Sequence, residues 1–238
     1  MEYEMQKTKI EILSTRPLSN QIIEEAAINN IIIDEVSFIE TKPIENSNLS
    51  HKIEYYLQQN ITAIFTSMNA VEAVATHLKQ LPEWRIYCIG NTTKKLAENY
   101  FGKDSIAGTA ASAAELAEVM IKDKITHTIF FCGDQRRDEL PEKLDQHDVN
   151  IDEVVVYNTN ETPVAISKKY DAILFFSPSA ADSFFSINRV DEETQLFAIG
   201  STTAKAIQQY NKKNVVIAGS PDKENLVRQV IEYFSVAK

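Results

Sequence analysis

The sequence has few of the residues that build disulfide frameworks, metal centres and nucleotide-binding loops. Its two cysteines, Cys88 and Cys132, each stand inside an apolar, strand-like run, where reduced and buried thiols are expected rather than a disulfide. The four histidines show no metal-ligand spacing. Six glycines occur in 238 residues, and none completes a dinucleotide-binding or Walker A motif. Disulfide, metal and nucleotide chemistry are therefore not indicated.

Long apolar segments and positive charge are also scarce. No apolar run approaches the roughly 20 residues of a membrane helix, and residues 1–13 lack the apolar region of a signal peptide. The formal net charge of -10 disfavours binding to nucleic acid or to an anionic membrane surface. We expect a cytoplasmic protein without nucleic-acid or membrane partners. An anionic ligand would have to be held locally, by backbone N–H groups and a few basic side chains.

Short β-branched runs alternate with segments of helical period, which predicts βα units around parallel sheets. The predicted strands are 11–14, 36–40, 63–66, 85–89, 128–132, 153–158, 172–176, 196–199 and 214–218. The predicted helices are 20–29, 69–78, 93–100, 113–121, 138–147, 179–186, 203–210 and 222–234. With 44% hydrophobic residues, the chain can form one large domain or two of ordinary size, and we expect two.

An internal repeat divides this pattern. Ser67 and Ser177, Gly90 and Gly200, and Leu116 and Leu226 are each 110 positions apart, so that one offset relates about 50 residues without a gap. A second unit, at residues 34–36 and 152–154, repeats at an offset of 118. We name the unit that repeats at an offset of 118 A and A′, and the unit that repeats at an offset of 110 B and B′. Their order along the chain is A, B, A′, B′. Each domain should combine one A with one B. The repeat leaves open whether neighbours pair or A pairs with B′.

The repeated turns each join a strand to a helix. The serine turns, and the glycine turns that follow them, allow two interpretations. Either their polar side chains serve only to cap the free N–H groups of the first helical turn, or those N–H groups and hydroxyls bind carboxylate or phosphate. Ligands of open α/β sheets bind beyond the carboxyl ends of the strands, so that two such domains would enclose a cleft. Tyr157 ends an A′ strand, and its phenol could donate a proton or simply pack.

Seven phrases of the sequence together resemble one family. They are residues 14–17 (Ser-Thr-Arg-Pro), 64–71 (Ile-Phe-Thr-Ser-Met-Asn-Ala-Val), 89–93 (Ile-Gly-Asn-Thr-Thr), Gly133 with 137–140 (Arg-Asp-Glu-Leu), 157–159 (Tyr-Asn-Thr), 176–180 (Phe-Ser-Pro-Ser-Ala) and 198–204 (Ala-Ile-Gly-Ser-Thr-Thr-Ala). In their order and spacing the chain resembles the uroporphyrinogen-III synthases of tetrapyrrole biosynthesis over essentially its whole length. A departure is Cys132, at a position where that family often has arginine, which puts one anion contact in doubt.

The resemblance implies an α/β fold of two flavodoxin-like, parallel-sheet domains that arose by internal duplication and are joined by a two-stranded β crossover. Residues 1–38 and 163–238 would form the first domain, from both chain ends. Residues 44–154 would form the second. The crossover strands would be about 36–43 and 155–163. This arrangement selects the pairing of A with B′ and implies hinge motion between the domains.

The resemblance also implies a reaction and its residues. The substrate would be hydroxymethylbilane, a linear tetrapyrrole with eight carboxylates, supplied by porphobilinogen deaminase. A cofactor-independent lyase would close it to uroporphyrinogen III with loss of water and inversion of the last ring. Tyr157 matches the tyrosine usually taken as the acid. The residues expected to bind substrate are Arg16, Ser67, Asn69, Thr92, Thr93, Arg137, Ser177, Ser179, Thr202 and Thr203.

Two other functions remain open at this stage. The chain could be a non-catalytic two-domain protein of the same fold that binds a small anion or senses an effector, or a related enzyme with an altered substrate. For Arg16 and Arg137, a solvated surface position competes with carboxylate binding. No metal and no cofactor are expected, and we expect a monomer.

Overall fold

The computed structural model describes residues 9–220 and 222–236, and the predicted first domain therefore extends at both ends, at 1–8 and 237–238, beyond the described residues. Its strands are β1 (Ile10–Ser14), β2 (Ile31–Glu35), β3 (Ile39–Pro43), β4 (Thr62–Phe65), β5 (Arg85–Ile89), β6 (Ile106–Ala110), β7 (His127–Gly133), β8 (Asn150–Glu161), β9 (Ala172–Phe175), β10 (Gln195–Ala198) and β11 (Val215–Ile217). Its α-helices are α1 (Asn20–Ile28), α2 (Ser47–Leu57), α3 (Met68–Ala75), α4 (Asn91–Phe101), α5 (Ala113–Lys122), α6 (Glu139–Asp145), α7 (Pro178–Ile187), α8 (Ser201–Tyr210) and α9 (Lys223–Val236). Within the described part of the chain, no helix combines the length and apolar character needed to cross a bilayer.

The chain divides into two compact units. Unit 1 contains the residues up to Glu40 and those from Asn160 onward, and unit 2 runs from Thr41 to Thr159. The sheet of unit 1 has the order β11-β10-β9-β1-β2, with parallel pairing. Numbered within the unit, this order is 2-1-3-4-5 when counted from the edge that β2 forms, the doubly wound order of flavodoxin-like folds. The expected α/β fold class is confirmed.

Unit 2 repeats this sheet and adds one strand. Its order is β3-β8-β7-β4-β5-β6, and the five strands from β8 to β6 pair in parallel. Ile44 N donates to Val156 O at 2.9 Å, and Thr162 N donates to Phe38 O at 2.9 Å. Residue numbers therefore rise along one strand as they fall along its partner, so β3 lies antiparallel to β8. The chain passes from one unit to the other within these two strands.

Burial on both faces explains why these runs form parallel strands. In β9, Ala172 and Leu174 pack into one apolar cluster, whereas Ile173 and Phe175 pack into another on the opposite face. The sheet of unit 2 likewise separates two clusters, one of which stacks Trp84, Phe101 and Phe131. Each sheet is therefore a hydrophobic layer covered by helices on both sides.

The duplication is visible in the element boundaries. β4 and β9 begin 110 residues apart, and so do β5 and β10. The starts of α3 and α7, of α4 and α8, and of α5 and α9 differ by the same 110 residues. The repeated turns therefore occupy equivalent places in two equivalent sheets.

One predicted strand was wrong. The sequence places a single strand at 36–40, but the strand that pairs with β1 is β2, with Ile10 opposite Ile31, and β3 begins separately at Ile39. The break is hidden because apolar residues stand on both sides of Asp34 and Glu35, so that hydrophobicity alone does not mark where one strand ends and the next begins. β6 and α2 were not predicted at all. β6 contains Gly108 and three alanine or threonine residues, and α2 is largely polar.

Candidate functional site

Tyr157 lies at the carboxyl edge of the unit 2 sheet. It belongs to β8, next to the end of β7, and β7 is followed across the sheet by β4. The hydroxyl of Ser67, just after β4, donates a hydrogen bond of 3.1 Å to the Tyr157 oxygen. Two residues 90 positions apart in sequence are thus joined where the sheet turns into helix α3. The described contacts give the phenol oxygen no other hydrogen-bond partner.

Gly133 is the surface on which the Tyr157 ring packs. Cys132 lies opposite Val155 in the regular register, and a shift between Cys132 and Gly133 then places Gly133 opposite Tyr157. A Cβ at Gly133 would stand 2.4 Å from Cζ of Tyr157 and 2.8 Å from its hydroxyl oxygen. Any side chain at this position would therefore displace the ring. The glycine is required for space, since its φ is not positive.

The surroundings of the phenol act in opposite directions on its acidity. Burial raises the pKa of Tyr157 above the usual value, and the negative charges of Cys132 as thiolate and of Asp134 raise it further. The hydrogen bond from Ser67 lowers the pKa, because the hydroxyl proton stabilises the phenolate. A neutral, half-buried phenol with one donor directed at its oxygen can give up a proton to a basic group placed against it.

The turn after β5 supplies backbone donors in the same unit. Gly90 caps α4 with φ of 78°, a conformation that favours glycine, and nothing lies within 4 Å of the Cβ that another residue would carry. No side chain caps this helix, so its first N–H groups remain available. Thr92 is exposed, whereas Thr93 is buried with 4% exposure. Thr93 can therefore contribute its backbone N–H rather than its hydroxyl.

Two basic residues of unit 1 are close enough for their charges to interact. Arg16 follows β1, its guanidinium lies 5.9 Å from the centre of the Phe176 ring, and its buried Nε has no hydrogen-bond partner. Burial lowers the pKa of Arg16. Lys223 opens α9, and burial together with the charge of Arg16 lowers its pKa. Among the described residues neither cation has an acidic partner within 4 Å. A carboxylate there could accept hydrogen bonds from both.

The serine and glycine turns of unit 1 resemble those of unit 2. Ser177 caps α7 by accepting 3.1 Å from Ala180 N, and its Oγ lies 3.4 Å from that of Ser179. Gly200 starts α8 without a side-chain cap, in an extended conformation that other residues could adopt. Thr202 is exposed. Thr203 is fully buried, and its Oγ1 has no hydrogen-bond partner, so a ligand could meet only its backbone N–H.

The serine and glycine turns lead into helices without negative charge in the first turn. α3, α4, α7 and α8 carry no acidic residue in the first turn. By contrast, the first turn of α5 contains Glu115, whose carboxylate accepts from Ala111 N and whose own N–H donates to the Ser112 cap. α6 and α9 also carry acidic residues there. The serine and glycine turns therefore suit anions, although the starts of α1 and α2 share this absence of acidic residues.

The remaining predicted site residues lie less close to this chemistry. Asn69 is half-buried in the first turn of α3. Arg137 is exposed after β7, whereas its neighbour Arg136 is bound to Glu153 at 2.7 Å and to Asp138. Cys132 is 1% exposed in the apolar core, and burial raises the pKa of its thiol to about 11. It makes no anion contact in place of the family's arginine.

Sequence reasoning missed two contributors to these sites. Lys223 was not singled out, because a lysine at a helix start ordinarily indicates a solvated side chain. Gly133 was recognised only as part of a motif, since its packing against Tyr157 depends on a register shift that the sequence does not show. Over 9–220 and 222–236, no group of three or more His, Cys, Asp or Glu side chains is arranged to hold a metal ion.

Comparisons with known proteins agree on one family. The sequence profile of "Uroporphyrinogen-III synthase HemD" matches residues 20–228. An uncharacterized protein of Rickettsia prowazekii is 30% identical over 189 residues, which cover 77% of this chain and 63% of that protein. The chain thus spans somewhat less than two thirds of that relative's length.

Two solved structures share the fold. The uroporphyrinogen-III synthetase of Helicobacter pylori superposes with a TM-score of 0.65 at 18% identity, covering 94% of this chain and 99% of that one. A mutant uroporphyrinogen III synthase of the extremely thermophilic bacterium Thermus thermophilus gives 0.64 at 10% identity, covering 96% and 100%. At such identities the likeness establishes the fold, and the sequence profile, which spans most of the chain, establishes membership. The chain belongs to the uroporphyrinogen-III synthase family.

Proposed function

We propose that this protein is a uroporphyrinogen-III synthase, a lyase that closes hydroxymethylbilane to uroporphyrinogen III with inversion of the last ring and loss of water. Membership in the family supports the reaction. The observation that carries the proposal is the Tyr157 phenol, whose oxygen accepts from Ser67 and whose own proton has no acceptor among the described residues. An acid so placed suits a reaction in which a hydroxyl group must leave.

The proposed proton path balances without a cofactor. Tyr157 donates its proton to the departing hydroxyl group, which leaves as water, and the resulting phenolate keeps the hydrogen bond from Ser67. Attack by the substituted carbon of the last ring gives a spiro intermediate, which fragments and recloses. The proton lost when the last pyrrole regains aromaticity returns to the phenolate. Since uninverted closure occurs spontaneously, positioning of the substrate carries most of the catalytic task.

The carboxylates of the substrate are proposed to bind at two kinds of group. Uncapped N–H donors at the Gly90 and Gly200 turns suit carboxylates through hydrogen bonds and the helix dipole. Arg16 and Lys223 provide two cations without acidic partners within 4 Å among the described residues, which offsets locally the formal net charge of -10. We propose that porphobilinogen deaminase supplies the substrate and that this protein acts as a monomer.

The test is a coupled assay in which porphobilinogen deaminase generates hydroxymethylbilane in the presence of this protein. The products are oxidised, and the porphyrin isomers are separated by chromatography. We expect isomer III, whereas reactions without the protein should give isomer I by spontaneous closure. Isomer I alone, from folded protein that still binds the porphyrinogen, would indicate a non-catalytic anion-binding protein and would refute the proposal.

A further inference from the structure

Two serines at equivalent places in the duplicated units have different partners. Ser67 and Ser177 cap α3 and α7 with nearly the same backbone angles, -146° and 151° against -156° and 157°. Each accepts a hydrogen bond from the backbone N–H three residues on, at 3.2 and 3.1 Å. Only Ser67 also contacts a phenol, at 3.1 Å from Tyr157. Ser177, whose Oγ also lies 3.4 Å from that of Ser179, therefore shows the cap without a phenol, and Ser67 adds the contact with the phenol.

In the second contact Ser67 is the donor. The Ser67 hydroxyl has one proton, and a lone pair of its oxygen already accepts from Ala70 N. Its proton points to the Tyr157 oxygen, so the tyrosine accepts and keeps its own proton for another group. The chain from Ala70 N–H through Ser67 to Tyr157 is polarised toward the phenol. The amino end of α3 also favours negative charge on the phenolate.

The other groups around the phenol oppose its ionisation. Burial raises the pKa of Tyr157, and Cys132 from β7 and Asp134 from the following turn raise it as well. Gly133 contributes no side chain, and its bare Cα lets the ring reach Ser67. Of the groups that shift this pKa, the Ser67 hydroxyl is the one that lowers it.

We propose that Ser67 is a positioning residue that orients the Tyr157 phenol and stabilises its phenolate, a role separate from the helix cap that it shares with Ser177. This role rests on the proposed function, in which Tyr157 is the acid. Ser67 does not touch the reacting atoms through this contact but acts through Tyr157.

Two substitutions separate the cap from the donor. Ser67→Asp keeps a strong cap acceptor but has no proton to donate, whereas Ser67→Thr keeps both. Ser177→Asp and Ser177→Thr are the matched controls in the other unit. The phenol is observed by NMR of protein labelled with 13C at tyrosine Cζ, and the Tyr157 signal is identified by its loss in Tyr157→Phe. This titration reads the phenol directly and needs no substrate.

The expected result is a higher Tyr157 pKa in Ser67→Asp, a pKa close to the wild-type value in Ser67→Thr, and no change in either Ser177 variant. In the coupled assay, kcat of Ser67→Asp should fall about tenfold or more, the loss of one charge-assisted hydrogen bond. Ser67→Thr should restore most of the rate. Thermal unfolding should remain close to wild type in all four variants, because the caps are kept.

An unchanged Tyr157 titration in Ser67→Asp would overturn the inference, as would an equal loss of kcat in Ser67→Asp and Ser177→Asp with Tyr157 unaffected. If the wild-type protein forms only isomer I, the proposed function fails, yet the titration still decides whether Ser67 acts on the phenol. Because the carboxylate of Ser67→Asp would itself repel the phenolate, Ser67→Gly is measured beside it, since glycine is a fair cap with neither a hydroxyl nor a charge. The same shift is expected there, and its absence counts against the inference.

Discussion

The packing of Tyr157 on Gly133 predicts that one added methyl group disables the proposed acid. In Gly133→Ala the new Cβ would stand 2.4 Å from Cζ of the ring, where ordinary contacts begin at 3.4 Å. The ring must therefore move by about 1 Å, away from a hydrogen bond that already measures 3.1 Å. A misplacement of about 1 Å costs roughly 100-fold in rate for a positioned catalytic group, and the overpacked methyl costs about 1–3 kcal/mol in the free energy of unfolding.

A second glycine in the same sheet gives a matched control. Gly108 also faces a tyrosine across a parallel pair after a register shift, and a Cβ there would lie 2.7 Å from two ring atoms of Tyr87. Tyr87 is fully buried, and its hydroxyl donates to Asp123 at 2.6 Å. Gly108→Ala should thus destabilise unit 2 at least as much as Gly133→Ala does, without touching the proposed acid.

The assay compares both variants by chemical denaturation and by initial rates in the coupled reaction. We expect both to lose stability, and we expect kcat to fall about 100-fold in Gly133→Ala but to stay within a few-fold of wild type in Gly108→Ala. Equal activity of the two variants, measured where each is fully folded, would refute the argument that the Gly133 surface positions Tyr157.

Three further predictions concern unit 1. Lys223→Met should weaken binding of the porphyrinogen product about tenfold or more in calorimetry, as expected for loss of a charged hydrogen bond. It should also raise the midpoint of thermal unfolding, because burial and a neighbouring cation lower the pKa of Lys223 in the folded protein. Unchanged affinity would remove Lys223 from the proposed anion site. Thr203→Val should raise the free energy of unfolding by about 1 kcal/mol, since a buried hydroxyl without a partner is removed. Product affinity should stay unchanged, and weaker binding would show that the hydroxyl turns toward the ligand. The pKa of Asp34 is lowered by hydrogen bonds from Lys168 and Tyr170, so its stabilising contribution is present at neutral pH and is lost as the pH falls through that lowered value. Asp34→Asn should therefore lower the unfolding midpoint at neutral pH but not in strong acid, and a deficit that is independent of pH would contradict this ion-pair explanation.

The repeat of 110 residues predicted more of the fold than any single segment did. The strands and helix starts that it marks occupy equivalent positions in the two sheets. A buried parallel strand followed by a capped helix needs the same residue types at the same spacing in both units, so the repeat is visible in the sequence. The predictions failed where composition is uninformative. Residues 31–39 have apolar side chains both before and after the break between β2 and β3, and β6 is too small in side-chain volume to give a hydrophobic pattern.

The candidate site was predictable in its residue types but not in its contacts. Ser67 and Tyr157 were both identified from the sequence, yet their hydrogen bond depends on the order of β8, β7 and β4 and on the register shift before Gly133. The burial of Thr203 was equally hidden, because an N-terminal helix threonine has the same sequence signature whether its hydroxyl faces solvent or the core. Tertiary packing decides both.

The central claim, that Tyr157 drives inverted ring closure, is tested most directly by the isomer ratio as a function of enzyme concentration. Spontaneous closure to isomer I competes with the enzyme, so at a fixed rate of hydroxymethylbilane supply the fraction of isomer III should rise toward one as wild-type protein is added. For Tyr157→Phe the same curve should require about 100-fold or more protein, the contribution of a general acid, while product affinity stays near wild type. Coincident curves for the wild type and Tyr157→Phe would contradict the account.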